Sequence, residues 1–528
     1  MKTPTCILHI ALVLSLVSAK AAQIAVINPG NDQDIQPNFQ AAVNAASDGD
    51  VLVLPSGQFV VNYNILITKK ISVKGQGTEQ TILYRSEAAL DTLLSSSPNW
   101  DAILNYQLNT NDPCGIIISG ICFRSKKPCV VLGDGLSRAS DVGIKLDHCY
   151  NFVITACRFE YFGCAGVYVI HDDSIVGGLI NKCSFYHNAK GPDALGLGYG
   201  VAVFGANLKW IVDPRLGSSS FIFVEDNTFD FHRHSIAAGG CGLYVFRHNL
   251  VLNNIAGSGD HAIDAHAARM TYGLNYYGTR ALEAYDDSII NTTFKDGTPI
   301  QPGQSAQLLS NNAVLVKSGD VLVHDNYIRG YRFGVGIIDD QVSGTQTYPI
   351  FTQVGYLSGL KYGFNHTGVA GGLGDGDLFT WNNDFAPYVG PDSSAAFYNF
   401  QPTYFTAERD FHLVAKPNYQ TYTYPHPLSV LVVPLTVLSL CSTLAEGKNN
   451  FSVYPNPASN QLNILPYSES MKYTLEILDS EGRSMLREEQ NEMNKSVTIA
   501  DLSSGIYFVH LFNQTESETH KIRIEQSK

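Results

Sequence analysis

Val224-Glu225-Asp226-Asn227-Thr228-Phe229 and, 22 residues on, Phe246-Arg247-His248-Asn249-Leu250-Val251 share one pattern. An apolar residue is followed by two variable positions, a small polar residue, a spacer and a second apolar residue. The same form runs through Ile154–Cys157–Phe159, Ile180–Cys183–Phe185, Ala284–Asp287–Ile289 and Val323–Asn326–Ile328. Successive small polar positions lie 26, 44, 22, 38 and 39 residues apart. A minimum near 22 with variable excess predicts a solenoid whose turns carry insertions. Asn, Asp or Cys recurring at one bend predicts an internal ladder, each side chain bonding its neighbour one turn away. A β-sandwich would not need the same residue types at one bend.

The chain upstream agrees. Phe39, Ala42, Val43 and Ala46 mark a short amphipathic helix in the stretch 37–60, and Asp48-Gly49-Asp50 makes a turn into Val51-Leu52-Val53-Leu54. Ile65-Leu66-Ile67, Ile71-Ser72-Val73 and Thr81-Ile82-Leu83 follow as short strands between glycines and charges. Close spacing without helical periodicity predicts an all-β chain. Ten cysteines in 528 residues do not form a disulfide framework. Most sit in strand-like contexts, as in Ile121-Cys122-Phe123, where a thiol behaves as a small hydrophobe.

The ends carry addresses. Lys2, the apolar Ile7 to Val17 and small residues up to Ala22 predict a signal peptide over 1–22, with Ala19-Lys20-Ala21 as its cleavage site. The apolar run is too short to span a bilayer. The net charge of −13 argues against a nucleic-acid partner, which calls for a basic face. Residues 428–450 form an apolar linker broken by Pro434, and no membrane span is expected. From Phe451 a second unit begins with Tyr454-Pro455-Asn456-Pro457. Strand-like stretches follow at Leu462–Ile464, Tyr473–Leu478, Val497–Ile499 and Gly505–Leu511, with a hairpin turn at Asp479–Arg483.

Residues 24–427 resemble the pectate-lyase-like superfamily, through the Asp48–Pro55 entry and the Asn/Cys bend. The resemblance implies a right-handed parallel β-helix, a fold that hosts lyases, hydrolases, epimerases, esterases and inert adhesins. Residues 451–528 resemble the C-terminal sorting domain of type IX secretion cargo, through the Pro-Asn-Pro opening, Leu502-Ser503-Ser504-Gly505-Ile506-Tyr507 and the basic Lys521-Ile522-Arg523. That resemblance implies a small β-sandwich recognised by outer-membrane secretion machinery, and a secreted or surface-attached product.

In a β-helix the core is sealed, so chemistry belongs outside, on strand faces and flanking loops. His, Arg and Asp are dense from His232 to Glu283. If Ile263 and Ala265 point inward, the period of two sends Asp264 and His266 outward, about 7 Å apart. His232, Arg233 and His234 fall in the turn entering the preceding rung, and His261 enters the strand of Asp264. The expected catalytic set is His234, His261, Asp264, His266, Arg269 and Arg280. The expected substrate-binding set is His232, Arg233, Tyr272, Tyr276, Tyr277 and Glu283. Elimination from a uronic acid suits these residues: His or Tyr removes a proton and Arg neutralises the carboxylate. The expectation is therefore a lyase on an acidic polysaccharide. The alternatives are a hydrolase or epimerase on the same fold, or a non-catalytic glycan-binding adhesin.

The spacing of His261, Asp264 and His266 is not a specific metal signature, and no metal is assigned from it. No cofactor is called for, although Asp375 in the loop Gly371–Asp377 could bind calcium weakly. For hydrolysis a carboxylate pair is needed. Asp172-Asp173 and Asp286-Asp287 offer pairs, but Asp287 falls on the bend itself, which favours a ladder role.

Overall fold

The computed structural model describes residues 21–86, 101–108, 113–125, 141–171, 176–188, 198–205, 213–254, 261–266, 269–271, 274–276, 278–292, 312–338, 377–386, 394–400, 402, 405, 407–408, 410–430, 451–454, 458, 460–466, 473–478, 484–490, 495–512 and 517–524. They fall into two units, divided between Val433 and Pro434.

The first unit is a right-handed parallel β-helix. Its chain winds repeatedly through three parallel sheets, one strand in each per turn. Among the described residues sheet A has 12 strands, from Gln23–Ala25 to Phe411–His412. Sheets B and C have ten each, running from Gly57–Val60 to Asp384–Ala386 and from Ile65–Ile67 to Ala395–Asn399. Equivalent residues stack in register, as in Val224, Phe246, Ala284 and Val323 on sheet A. Inward side chains form one continuous core. Within it Phe123, Phe159, Phe185 and Phe229 stack ring on ring at 5.2, 4.9 and 4.6 Å. The helix Gln36–Ala45 buries Phe39, Ala42 and Val43 against the same core.

The predicted bend is the corner from sheet A to sheet B, and it has two residues in every repeat that carries the pattern. The first residue adopts left-handed backbone: Ala156 (φ 50°), Lys182 (52°), Asp226 (57°), His248 (54°), Asp286 (56°), Asp325 (54°) and Asn382 (50°). The second is the ladder residue. Asn227 donates from Nδ2 to the Ile180 carbonyl at 2.9 Å and accepts the Cys183 amide at Oδ1 at 2.9 Å. Asn326 continues the series to Asn383, 2.9 Å away, a seventh member that the sequence pattern misses because Thr380 stands where an apolar residue was required. Asp287 belongs to the ladder, accepting the Asn249 amide at 2.8 Å. Cys157 and Cys183 occupy the same corner, and all seven described cysteines are buried and outside any disulfide.

The corners flanking sheet C behave differently. Residues 187–198, 206–221, 253–260, 266–280, 291–311 and 338–377 all leave from one edge of sheet C or the other. The long connections of the coil therefore begin or end at the strands of sheet C.

In the second unit two antiparallel sheets share a core. The strands Phe451–Tyr454, Gln461–Pro466 and Lys495–Thr498 form one. The other comprises Ser484–Gln490, Tyr473–Leu478, Gly505–Phe512 and Ser517–Ile524. Leu462, Ile464, Leu475, Ile477 and Val509 are among the residues buried between them. No helix among the described residues is long and apolar enough to cross a membrane.

Candidate functional site

Sheet C pairs the strand His234–Gly239 with His261–Ala265, in the register Ile236–Ile263, Ala237–Asp264 and Ala238–Ala265. Ile263 and Ala265 are core residues, so period-two alternation turns Asp264 onto the outer face. There it meets His261 of its own strand and His234 of the preceding turn. The next strand, Asn312–Val316, pairs Leu315 with Asp264 and ends against Lys317.

These side chains form one buried polar group. His261 Nε2 lies 2.9 Å from Asp264 Oδ1, and Lys317 Nζ lies 3.3 Å from the same oxygen. His234 Nε2 lies 3.9 Å from Asp264 Oδ2. The two imidazoles are stacked obliquely at 4.1 Å, and Tyr199 lies flat against the other side of His234 at 5.6 Å. His234 Nδ1 donates to the His261 carbonyl at 2.7 Å. That bond leaves the lone pair of His234 on Nε2, facing Asp264.

Burial removes stabilising water from charged forms. It pushes the His234 ring well below its ordinary range, helped by His261 and Arg233, and takes His261 down to about 4 against the pull of Asp264. Burial alone would raise Asp264, but Lys317, then His261 and His266, hold its carboxyl well below the usual range. Tyr199 is pushed up to about 12, chiefly by burial. At neutral pH the group is thus a carboxylate beside a lysine cation, two neutral imidazoles and a phenol.

Of the expected catalytic set, the structure brings together His234, His261 and Asp264. His234 opens a strand instead of lying in a turn. His266 follows Asp264 at the end of the strand, half-buried, and acts electrostatically on its carboxylate. Arg280 stands elsewhere: it is buried at the corner into sheet A, where its Nη1 pairs with Asp320. Arg269 pairs its backbone with Tyr276 in a short antiparallel ribbon, and neither side chain is among those described. Tyr272, Tyr277, Asp172, Asp173 and Asp375 lie outside the described residues.

The expected substrate-binding residues divide likewise. Arg233 is half-buried and donates to the Tyr199 hydroxyl at 3.5 Å. His232 is internal: its two ring nitrogens face the carbonyls of Phe185 and Asn188 at 3.1 and 3.3 Å. Burial takes its pKa down to about 4, and a neutral ring donates to one of the two carbonyls. Glu283 lies on sheet A. It accepts the Gly217 amide at 2.7 Å and the Tyr419 hydroxyl at 2.5 Å. Tyr419 opens a strap that crosses sheet A. Arg247 anchors the strap through the carbonyls of Tyr422 and Thr423 while pairing with Glu225 at 2.6 Å.

Sequence reasoning missed Tyr199 and Lys317. Each lies at a strand end on a different turn from Asp264. For Lys317 the available signal is a lone lysine closing the apolar run Ala313–Val316, two positions past the outward Leu315.

No curated protein matches the chain. Among solved structures it is similar to endo-xylogalacturonan hydrolase from Aspergillus tubingensis, at 10% identity and TM-score 0.42 over 76% of this chain and 100% of that one. It is similar to alginate lyase from a Paenibacillus species, at 10% identity and TM-score 0.30 over 72% and 98%. An α-1,3-glucanase from Streptomyces thermodiastaticus is 14% identical, with TM-score 0.31 over 72% and 69%. Residues 452–525 match the family model of the secretion system C-terminal sorting domain. The chain thus carries a parallel β-helix ahead of a secretion sorting domain.

Proposed function

We propose that this chain is a polysaccharide-active protein delivered to the cell exterior through its sorting tail, and that it cleaves an acidic glycan by elimination at the outer face of sheet C. The observation that carries this reading is the cluster around Asp264, with a cation, imidazoles and a phenol beside the edges from which the long insertions leave. Elimination needs positive charge at the uronate carboxylate and a base for the proton on the adjoining carbon. Lys317 and Arg233 supply the charge. His266, half-buried and electrostatically coupled to the Asp264 carboxylate, takes the proton. As the double bond forms, the glycosidic C–O bond breaks, and the imidazolium returns the proton to the departing oxygen. Hydrolysis calls for two carboxylates, whereas the cluster holds one among the described residues.

The test is to incubate the protein with acidic and neutral polysaccharides, following ultraviolet absorbance of an unsaturated sugar and new reducing ends. Absorbance with acidic glycans is expected, and His266→Ala should lower its rate by about 10²–10⁴-fold. Reducing ends without absorbance would indicate a hydrolase, and retention on a glycan with neither signal would indicate an adhesin.

A further inference from the structure

We infer that His234, His261 and Asp264 form a site for a divalent first-row transition ion, held between two adjacent turns of the coil. Their ligand atoms lie within 4.8 Å of one another, and all three side chains are fully buried. Neither His234 Nε2 nor either ring nitrogen of His261 has a hydrogen-bond partner among the described residues. His261 Nε2 approaches Asp264 Oδ1 at 2.9 Å. Around an ion with bonds of about 2.0–2.1 Å, neighbouring ligand atoms sit roughly 3.0–3.4 Å apart. The observed 2.9 and 3.9 Å bracket that range.

The second observation is the outer hydrogen bond. A ligating histidine characteristically donates its other ring N–H to a carbonyl or carboxylate, which fixes tautomer and orientation. His234 does this at 2.7 Å, through the carbonyl of the second histidine in the set. Two imidazoles and a carboxylate suit zinc, iron or cobalt better than calcium, which takes oxygen ligands. Lys317 bears on Asp264 Oδ1, the oxygen that His261 also faces, while Oδ2 faces His234. An ion here would add positive charge for the uronate carboxylate of the elimination reading. Its binding is measured without a substrate, so either reading can fail alone.

The experiment is to strip the full-length protein with chelator and titrate it with Zn2+ by calorimetry at neutral pH, checking the fold of each variant by circular dichroism. One equivalent should bind. His234→Ala and Asp264→Asn should each weaken binding by at least about tenfold. His266→Ala should bind as the wild type does while losing elimination activity. Because ligand variants can fail to fold, Co2+ added to the wild type gives a second measurement. Visible ligand-field absorption that one equivalent of Zn2+ abolishes is expected. Absence of saturable Zn2+ binding, unchanged affinity in folded His234→Ala and Asp264→Asn, or a featureless Co2+ spectrum would overturn the inference.

Discussion

Asn249 and Asp287 are joined twice across one turn of the coil. The Asn249 amide donates to Asp287 Oδ1 at 2.8 Å, and Asn249 Nδ2 donates to the same oxygen at 3.1 Å. Asn249 Oδ1 in turn accepts the Asn227 amide at 3.0 Å, while Nδ2 also reaches the Val224 carbonyl at 2.9 Å. Each ladder residue thus closes the backbone of one corner and ties it to the next. Buried backbone groups at a sharp corner have no sheet partner, so the side chain has to supply it.

Replacing Asn249 by Leu keeps its side-chain shape and removes its side-chain bonds to Asp287, Val224 and Asn227, while the backbone amide keeps its bond to Asp287. The expected loss is about 1–3 kcal/mol for each buried group left unsatisfied. Thr228→Ala, at an exposed strand position of the same region, should stay within about 0.5 kcal/mol. Chemical denaturation of both variants checks this, and equal shifts would count against the ladder.

The residue before each ladder position carries backbone strain. Ala156 and Lys182 are exposed and non-glycine at φ 50° and 52°. Left-handed backbone costs an L-residue about 1–2 kcal/mol, most of it relieved by glycine. Ala156→Gly should therefore be neutral or stabilising by up to about 1 kcal/mol, whereas Ala156→Val should destabilise by at least about 1 kcal/mol. Thermal shifts of the pair settle the sign.

Buried histidines make the β-helix acid-sensitive. His232 has a folded pKa of about 4, below the ordinary 6.5, because burial opposes its charge. The unfolded chain then binds a proton that the folded chain refuses, so stability present above pH 6.5 is lost as pH falls toward 4. Between pH 6.5 and 5 this amounts to about 2 kcal/mol from His232. His261 follows the same sign. Buried carboxyls such as Glu225 and Glu283 are raised and oppose it. Comparing wild type with His232→Gln in urea at pH 7 and pH 5 isolates the effect. The pH-dependent loss should shrink by about 2 kcal/mol in the variant.

Export should depend on the second unit. In a host with type IX machinery, deleting residues 451–528 should leave a folded β-helix in the periplasm, and fusing them to a periplasmic reporter should carry it outside. Fractionation and surface proteolysis read both. A truncated protein that still reaches the surface would make the unit a binding module.

Much of the fold was written locally. The Asn, Asp and Cys positions repeat because every A-to-B corner poses the same hydrogen-bonding problem, and the outward turn of Asp264 follows from strand alternation. Both are properties of a few adjacent residues, so the sequence by itself determined them. Partnership across turns is different, because the long corners separate touching residues by any number of positions. His234 and Lys317 flank Asp264 from strands that begin or end on other turns, and Tyr199 joins them through His234. Conversely, Arg280 and Glu283 are close to His261 in sequence, but the chain turns into sheet A before reaching them, and Asp320 and Tyr419 hold them there. Density along the chain thus merged two faces into one apparent cluster. Only the tertiary structure decided which polar residues share a face, because register between parallel strands is fixed by core packing and ladder bonds and not by loop length.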